Sequence, residues 1–229
     1  MKKFILIIIS TLAVLCACSQ QDQCRTVSIL GDSYSTFEGY IPEGNAIWYS
    51  AAPNGDNDVV RVEDTWWHLM CASGKFKLLQ NDSYSGSTIC NTGYGACDAT
   101  YCSFITRMKR LVEAGEAPDI LFIFGATNDS WANSPIGSLQ YSDWTTEDLF
   151  SCLPACCYML DYLKESLPET KIVFVINTEL KDEIVSGIIE ACDHYDVSSV
   201  LLKDIDKLSG HPSVLGMQQI CNQLVEFVK

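Results

Sequence analysis

The sequence predicts a three-layer α/β/α sandwich around a central, mainly parallel five-stranded sheet. Three observations carry this expectation. The continuous apolar runs Ile120-Leu121-Phe122-Ile123-Phe124 and Ile172-Val173-Phe174-Val175-Ile176 have the composition of strands buried on both faces, as in a parallel sheet. Strand-like and helix-like segments alternate along most of the chain. The long irregular stretches 36–61, 84–102 and 128–145 each follow a strand or a polar motif, where open α/β sheets bind ligands.

In chain order, the expected strands are 26–30, 76–79, 120–124, 172–176 and 197–202. The first is a short β-type run that stops abruptly at Gly31-Asp32-Ser33. The expected helices are 63–72, 103–114, 146–166, 181–194 and 213–228. They supply the crossovers that parallel strands require. Pro212 suits the first turn of the last helix. There is no internal repeat and no low-complexity linker, so residues 26–229 read as one domain. At 48% apolar residues the chain can bury a substantial core.

The N-terminus reads as a targeting segment. Lys2 and Lys3 precede an apolar run from Phe4 to Leu15, too short for a good spanning helix. Leu15-Cys16-Ala17-Cys18 is similar to a bacterial lipobox, which implies a signal peptide at 1–17, lipid on the Cys18 thiol and a tether at 18–25. The alternative is a plain secretory signal with incidental cysteines. The first reading makes the protein an exported lipoprotein, outer-membrane or periplasm-facing, of a Gram-negative cell, touching the membrane through its anchor only.

The formal charge is −14, two units more negative once Lys2 and Lys3 are removed. That balance disfavours nucleic acid and anionic membrane surfaces as partners. Twelve cysteines have no C-x-x-C pair among them, and three histidines are scattered, so no zinc site is expected. Asn54, Asp56, Asn57 and Asp58 do not form an EF-hand pattern, so neither a metal nor a cofactor is expected. Cys152, Cys156, Cys192 and Cys221 fall in apolar helical patterns and read as small buried hydrophobes. Cys97 and Cys102 share a loop where a local bridge would fit.

Chemistry concentrates in four short segments. Ser33, on a glycine turn at a strand end, is placed as an exposed nucleophile with free N–H groups beyond it. Ser83-Tyr84-Ser85-Gly86, Gly125-Ala126-Thr127-Asn128-Asp129 and Gly210-His211-Pro212 follow. Taken together, in this order on this strand–helix pattern, they resemble the blocks of the SGNH (GDSL-type) hydrolases. The resemblance runs through most of 26–228 and implies a flavodoxin-like fold. It also implies Ser33 as nucleophile, His211 as general base, and an oxyanion hole of the Gly86 N–H and the Asn128 side chain, which the Ser33 N–H completes. Elimination agrees on the base. His68 lies in an amphipathic helix segment, and His194 at a helix end where the dipole explains it.

Two departures from the family pattern stand out. Ala126 replaces a glycine two residues before Asn128. Leu208 occupies the position, three before His211, where the family commonly has aspartate. Either Ser33 and His211 work as a dyad with a backbone carbonyl or water as orienter, or Asp206 or Asp204 orients the imidazole. Asp32 and Asp129 read as braces of their turns. Among the loop aromatics, Tyr34 and Trp131 are candidate substrate contacts, while core packing explains Trp66 and Trp67.

These readings predict an exported serine esterase acting on small acyl esters, with acetyl on a glycan as the favoured small-molecule or carbohydrate substrate. The alternatives are a lysophospholipase or thioesterase of the same fold, and an inactive glycan-binding lipoprotein.

Overall fold

The computed structural model of the protein describes residues 24–229. The expected signal segment 1–17, Cys18 and most of the tether lie outside the described residues.

The chain builds β1 (Arg25–Gly31), α1 (Trp66–Ala72), β2 (Phe76–Ser83), α2 (Phe104–Glu113), β3 (Ile120–Gly125), α3 (Thr127–Trp131) and α4 (Cys152–Ser166). It continues through β4 (Lys171–Ile176), α5 (Asp182–His194), β5 (Ser198–Leu201), β6 (Lys207–Leu208), β7 (His211–Pro212) and α6 (Val214–Phe227). The expected sheet forms: five strands in the order β2-β1-β3-β4-β5, with every adjacent pair parallel. The strand order reverses between β1 and β3, which makes that crevice the topological switch point.

The central strands are apolar throughout because both faces are covered. Leu121 and Ile123 of β3 pack with Phe104, Met108, Met159, Leu160 and Ile188 of α2, α4 and α5. Ile120, Phe122 and Phe124 pack on the other face with Trp66, Met70, Met217, Ile220 and Leu224 of α1 and α6. Each buried leucine-sized side chain contributes about 1.5–3 kcal/mol of transfer free energy. Cys152, Cys156 and Cys192 are fully buried in the first layer and Cys221 is buried in the second. Every cysteine from Cys24 to Cys221 is a free thiol, Cys97 and Cys102 included.

Element ends differ from the sequence expectation for local reasons. The helix expected from 146 starts at Cys152, because the Asp148 carboxylate accepts from the Thr145 N–H at 2.8 Å and closes a separate turn, Asp148–Phe150. Pro154, tolerated only in a first turn, marks the true start. Residues 62–64 form a 3₁₀ turn, and extended Thr65 separates it from α1. A short helix, α3, opens the stretch expected to be irregular after β3. The hairpin of β6 and β7 was not expected. Its turn residues Ser209 and Gly210 have φ of 51° and 76°, the signature of a tight type I′ hairpin.

Candidate active site

β1 and β3 deliver their C-terminal ends side by side. Gly31, the last residue of β1, lies so near Ser83 Oγ and Ser35 that any side chain would collide with them. The chain then turns through a 3₁₀ segment, Ser33–Ser35, with the Asp32 carboxylate accepting from the Tyr34 N–H at 3.0 Å. Burial pushes the Asp32 carboxyl up to about 7, against the pull of Arg107. The end of β2 locks the turn: Asn81 Nδ2 donates to Ser35 O at 2.8 Å, and Ser83 Oγ donates to Asn81 Oδ1 at 2.6 Å.

Ser33 Oγ stands 2.9 Å from His211 Nε2. The hairpin presents His211 directly opposite Leu208 in its ladder, and the Nδ1 edge meets Ser209 O at 3.2 Å. With Nδ1–H donated to that carbonyl, Nε2 is left to accept a proton. The ring is enclosed by aromatics: Trp48 is stacked on it at 3.5 Å and 11°, with Tyr34 at 5.3 Å and Trp131 at 5.8 Å on other sides. Burial, helped by Lys207, lowers the His211 pKa to about 4, so the imidazole is neutral over a wide range.

In the loop after β2, Gly86 takes φ +83°, a left-handed turn that glycine enters freely. Among the described residues the Ser33 and Gly86 N–H groups have no acceptor. Asn128, on α3, donates one Nδ2 hydrogen to Ser87 O at 2.9 Å and accepts at Oδ1 from the Tyr94 hydroxyl at 2.8 Å. Its second amide hydrogen is therefore free. Asp129, fully buried, accepts from the N–H groups of Ile89 and Cys90 at 2.8 and 3.3 Å, holding the loop that Asn128 leans on. Burial raises the Asp129 pKa, and those N–H bonds oppose it. Ala126 adopts φ 70°, so the position does require the left-handed conformation and alanine accepts it with strain.

The structure thus joins Ser33 to His211 and ties Asn128 to the loop that follows Gly86 through Ser87 O. Two expectations need correction. Asp206 does not reach His211: its carboxylate accepts from Ser213 Oγ, which itself caps α6 by accepting from Gly216 N–H at 3.1 Å. Tyr34 is no surface contact. It is fully buried, and its hydroxyl donates to Gly210 O at 2.7 Å, supporting the hairpin from beneath. Trp131 is 38% exposed and remains at the mouth. His194 stacks on Tyr141 at 3.8 Å and His68 lies on α1, both outside this cluster.

Sequence reasoning missed Arg107. It is fully buried on α2, and its guanidinium donates to Gly31 O at 3.0 Å, Ser87 Oγ at 2.9 Å, Cys102 O at 2.8 Å and the Asp82 carbonyl. Burial lowers its pKa to about 10. One signal was available: position 107 falls on the apolar stripe of Phe104, Met108 and Leu111. A lone arginine there must find acceptors inside. Among the described residues no group of three or more His, Cys, Asp or Glu side chains could hold a metal.

A family profile described as GDSL-like lipase/acylhydrolase matches residues 25–228. No curated protein matches the chain. Among solved structures, the chain is similar to a Bacteroides ovatus protein described as a GDSL-like lipase, at 48% identity and TM-score 0.85, over 89% of this chain and 97% of that one. A counterpart from Bacteroides uniformis gives the same identity and TM-score over 89% and 95%. A carbohydrate esterase at 15% identity and TM-score 0.61, over 89% of this chain and 68% of that one, shares the fold.

Proposed function

The chain belongs to the GDSL-like lipase/acylhydrolase family, and from that premise we propose an exported serine esterase that removes small acyl groups, acetyl on carbohydrate foremost. The observation that carries the proposal is the 2.9 Å approach of His211 Nε2 to Ser33 Oγ, with the Ser33 N–H, the Gly86 N–H and one Asn128 amide hydrogen unengaged. His211 takes the Ser33 proton as Oγ attacks the ester carbonyl carbon. The oxygen becomes an oxyanion held by the Ser33 N–H, the Gly86 N–H and Asn128 Nδ2, each such donor supplying about 3–4 kcal/mol. His211 then protonates the leaving alcohol. Water, deprotonated by His211, attacks the acyl-serine and releases the acid and free Ser33. Ser209 O takes the orienting place that the family commonly gives to aspartate.

The carbohydrate assignment rests on the mouth. Trp131 leans on His211, Tyr94 on Asn128, and Tyr101, 73% exposed, on Tyr84 in the Gly86 loop. Flat exposed rings beside polar groups suit stacking on sugars. The N-terminal segment supports export with lipid at Cys18.

The test is labelling with an alkyl fluorophosphonate together with hydrolysis of acetylated oligosaccharide, lysophospholipid and acyl-thioester substrates. Label is expected on Ser33 alone, with the acetylated sugar turned over fastest. Ser33→Ala is expected to lose label and turnover while its thermal midpoint holds. Label elsewhere would overturn the nucleophile, and preference for lysophospholipid or thioester would overturn the substrate class. In a Gram-negative host, Cys18→Ser is expected to lose lipid and membrane retention.

A further inference from the structure

A serine–histidine pair normally relies on a carboxylate for three tasks: fixing the tautomer, holding the ring plane, and stabilising the imidazolium that forms as the proton moves. Here the first falls to Ser209 O, at 3.2 Å. Among the described residues no carboxylate bonds to the His211 ring, whose partners are Ser209 O and Ser33 Oγ. Asp206 is engaged by Ser213, and Glu179 pairs with Lys207 at 2.9 Å. Lys207 is the charged group that acts on His211, and it opposes a second positive charge.

We infer that Trp48 performs the two remaining tasks, holding the imidazole in the plane that aims Nε2 at Ser33 and stabilising its charged form through the indole face. Hydrogen bonds at Nδ1 and Nε2 pin two edges of the ring but leave it free to rock about the line between them. A slab stacked at 3.5 Å and 11° blocks that motion. The other walls meet the ring at steeper angles: 54° for Tyr34, 79° for Trp131 and 82° for Tyr49. Only Trp48 offers a parallel face, and the face of an aromatic ring carries the negative quadrupole that attracts a cation.

The slab is positioned from the nucleophile itself. The Trp48 N–H donates to Thr36 Oγ1 at 2.9 Å, and Thr36 Oγ1 donates to Ser33 O at 3.0 Å. Asn54 Nδ2 donates to Trp48 O at 3.2 Å from the other side. The indole N–H is buried without a partner, so the side chain is held there by stacking and not by a hydrogen bond of its own. Trp48 is therefore a positioning residue. The inference rests on the esterase reading for its kinetic consequence, though not for its effect on the ring.

The test compares the wild-type chain with Trp48→Phe, which keeps an aromatic face, and Trp48→Leu, which keeps apolar bulk. One readout is independent of catalysis: titration of the His211 ring by NMR, assigned with His211→Gln. Its midpoint, near 4, is expected to fall in Trp48→Leu, which keeps the apolar enclosure but removes the face that favours the charged ring, and to change little in Trp48→Phe. The other readout is kinetic. Trp48→Leu is expected to lower kcat and the fluorophosphonate labelling rate by about 10²-fold with KM nearly unchanged, as small misplacements of catalytic groups do. Trp48→Phe is expected to recover most of that loss. An unchanged or raised midpoint in Trp48→Leu overturns the inference, as does a loss confined to KM, which would make Trp48 a substrate wall. A wild-type chain that shows the ring titration but takes no label overturns the esterase reading and leaves the stacking role standing.

Discussion

Ser33 stands between two walls built on opposite principles. The oxyanion wall is polar and charged. Arg107, Asp129, Asp82 and Asn81 are buried there, and their hydrogen bonds end on Gly31, Ser87, Ile89, Cys90 and Ser35. The base wall is aromatic: His211 has one backbone carbonyl at Nδ1 and is otherwise bounded by Trp48, Tyr34, Tyr49 and Trp131. The contrast follows from what each wall must do. Oxyanion donors must be fixed in place before charge develops, and directional bonds fix them. The histidine must carry a proton in and out, and a neutral apolar enclosure keeps it ready as a base.

The largest expected effect tests the polar wall. Arg107→Met removes the guanidinium donor from three buried carbonyls and a hydroxyl, and is expected to destabilise the fold by about 3–5 kcal/mol in a denaturant titration. If the loss is under about 1 kcal/mol, the wall does not depend on that guanidinium and the contrast fails.

Next in size, Asn128→Ala is expected to lower kcat by about 10²–10³-fold with KM unchanged. Tyr94→Phe sharpens this result. It removes only the hydroxyl that fixes Asn128 Oδ1, and a loss of about fivefold in kcat, equivalent to about 1 kcal/mol, is expected.

A third comparison uses pH, because the two walls respond in opposite senses. The folded Asp32 pKa, near 7, lies above its ordinary 3.8, so the folded state holds that proton more tightly and this contribution to stability is lost as pH rises from about 4 to 7. The folded His211 pKa, near 4, lies below 6.5, so its contribution is lost as pH falls through that interval. Asp32→Asn keeps an oxygen for the Tyr34 N–H. Its thermal midpoint relative to wild type is therefore expected to rise between pH 4.5 and pH 8, as Asp32 titrates. His211→Gln is expected to gain relative stability in the other direction, as pH falls.

The smallest effect is expected at Asp206→Ala. The carboxylate secures the hairpin to the start of α6, so stability should fall by about 1 kcal/mol or less while kcat holds within about threefold. A loss of kcat by orders of magnitude would place a carboxylate in the base wall after all.

These walls were unequally legible in the sequence. Ser33, Gly86, Asn128 and His211 stood out because each sits in a short motif at a strand end or helix start, where local pattern determines position. The parallel sheet was legible for the same reason, through the unbroken apolar runs of β3 and β4. Arg107, Trp48 and Tyr94 act through partners far along the chain, and no local pattern announces such meetings. Tyr34 was misread because a 3₁₀ turn sends successive side chains in different directions, exposing Ser33 Oγ to His211 while driving its neighbour into the core. The orienter was hidden because a carbonyl has no sequence signature. Only the positive φ at Ser209 and Gly210 brings it beside the ring.

The segment 36–61 ties the walls together. Asn45 Nδ2 donates to Ser83 O at 2.9 Å and Ala46 O accepts from the Ser85 N–H at 2.9 Å, while a few residues later Tyr49 donates to Pro212 O at 2.9 Å beside the histidine. Beyond that, Asn57 returns to Pro212 O at 3.1 Å. Between these anchors residues 51–56 are exposed, with Gly55 next to Ser209. That places a tolerant insertion point at the rim, both ends of which are anchored to the catalytic frame. Lengthening it would alter what the mouth admits without loosening the atoms that react, so it is where new specificity can be grown on this scaffold, by selection or by design.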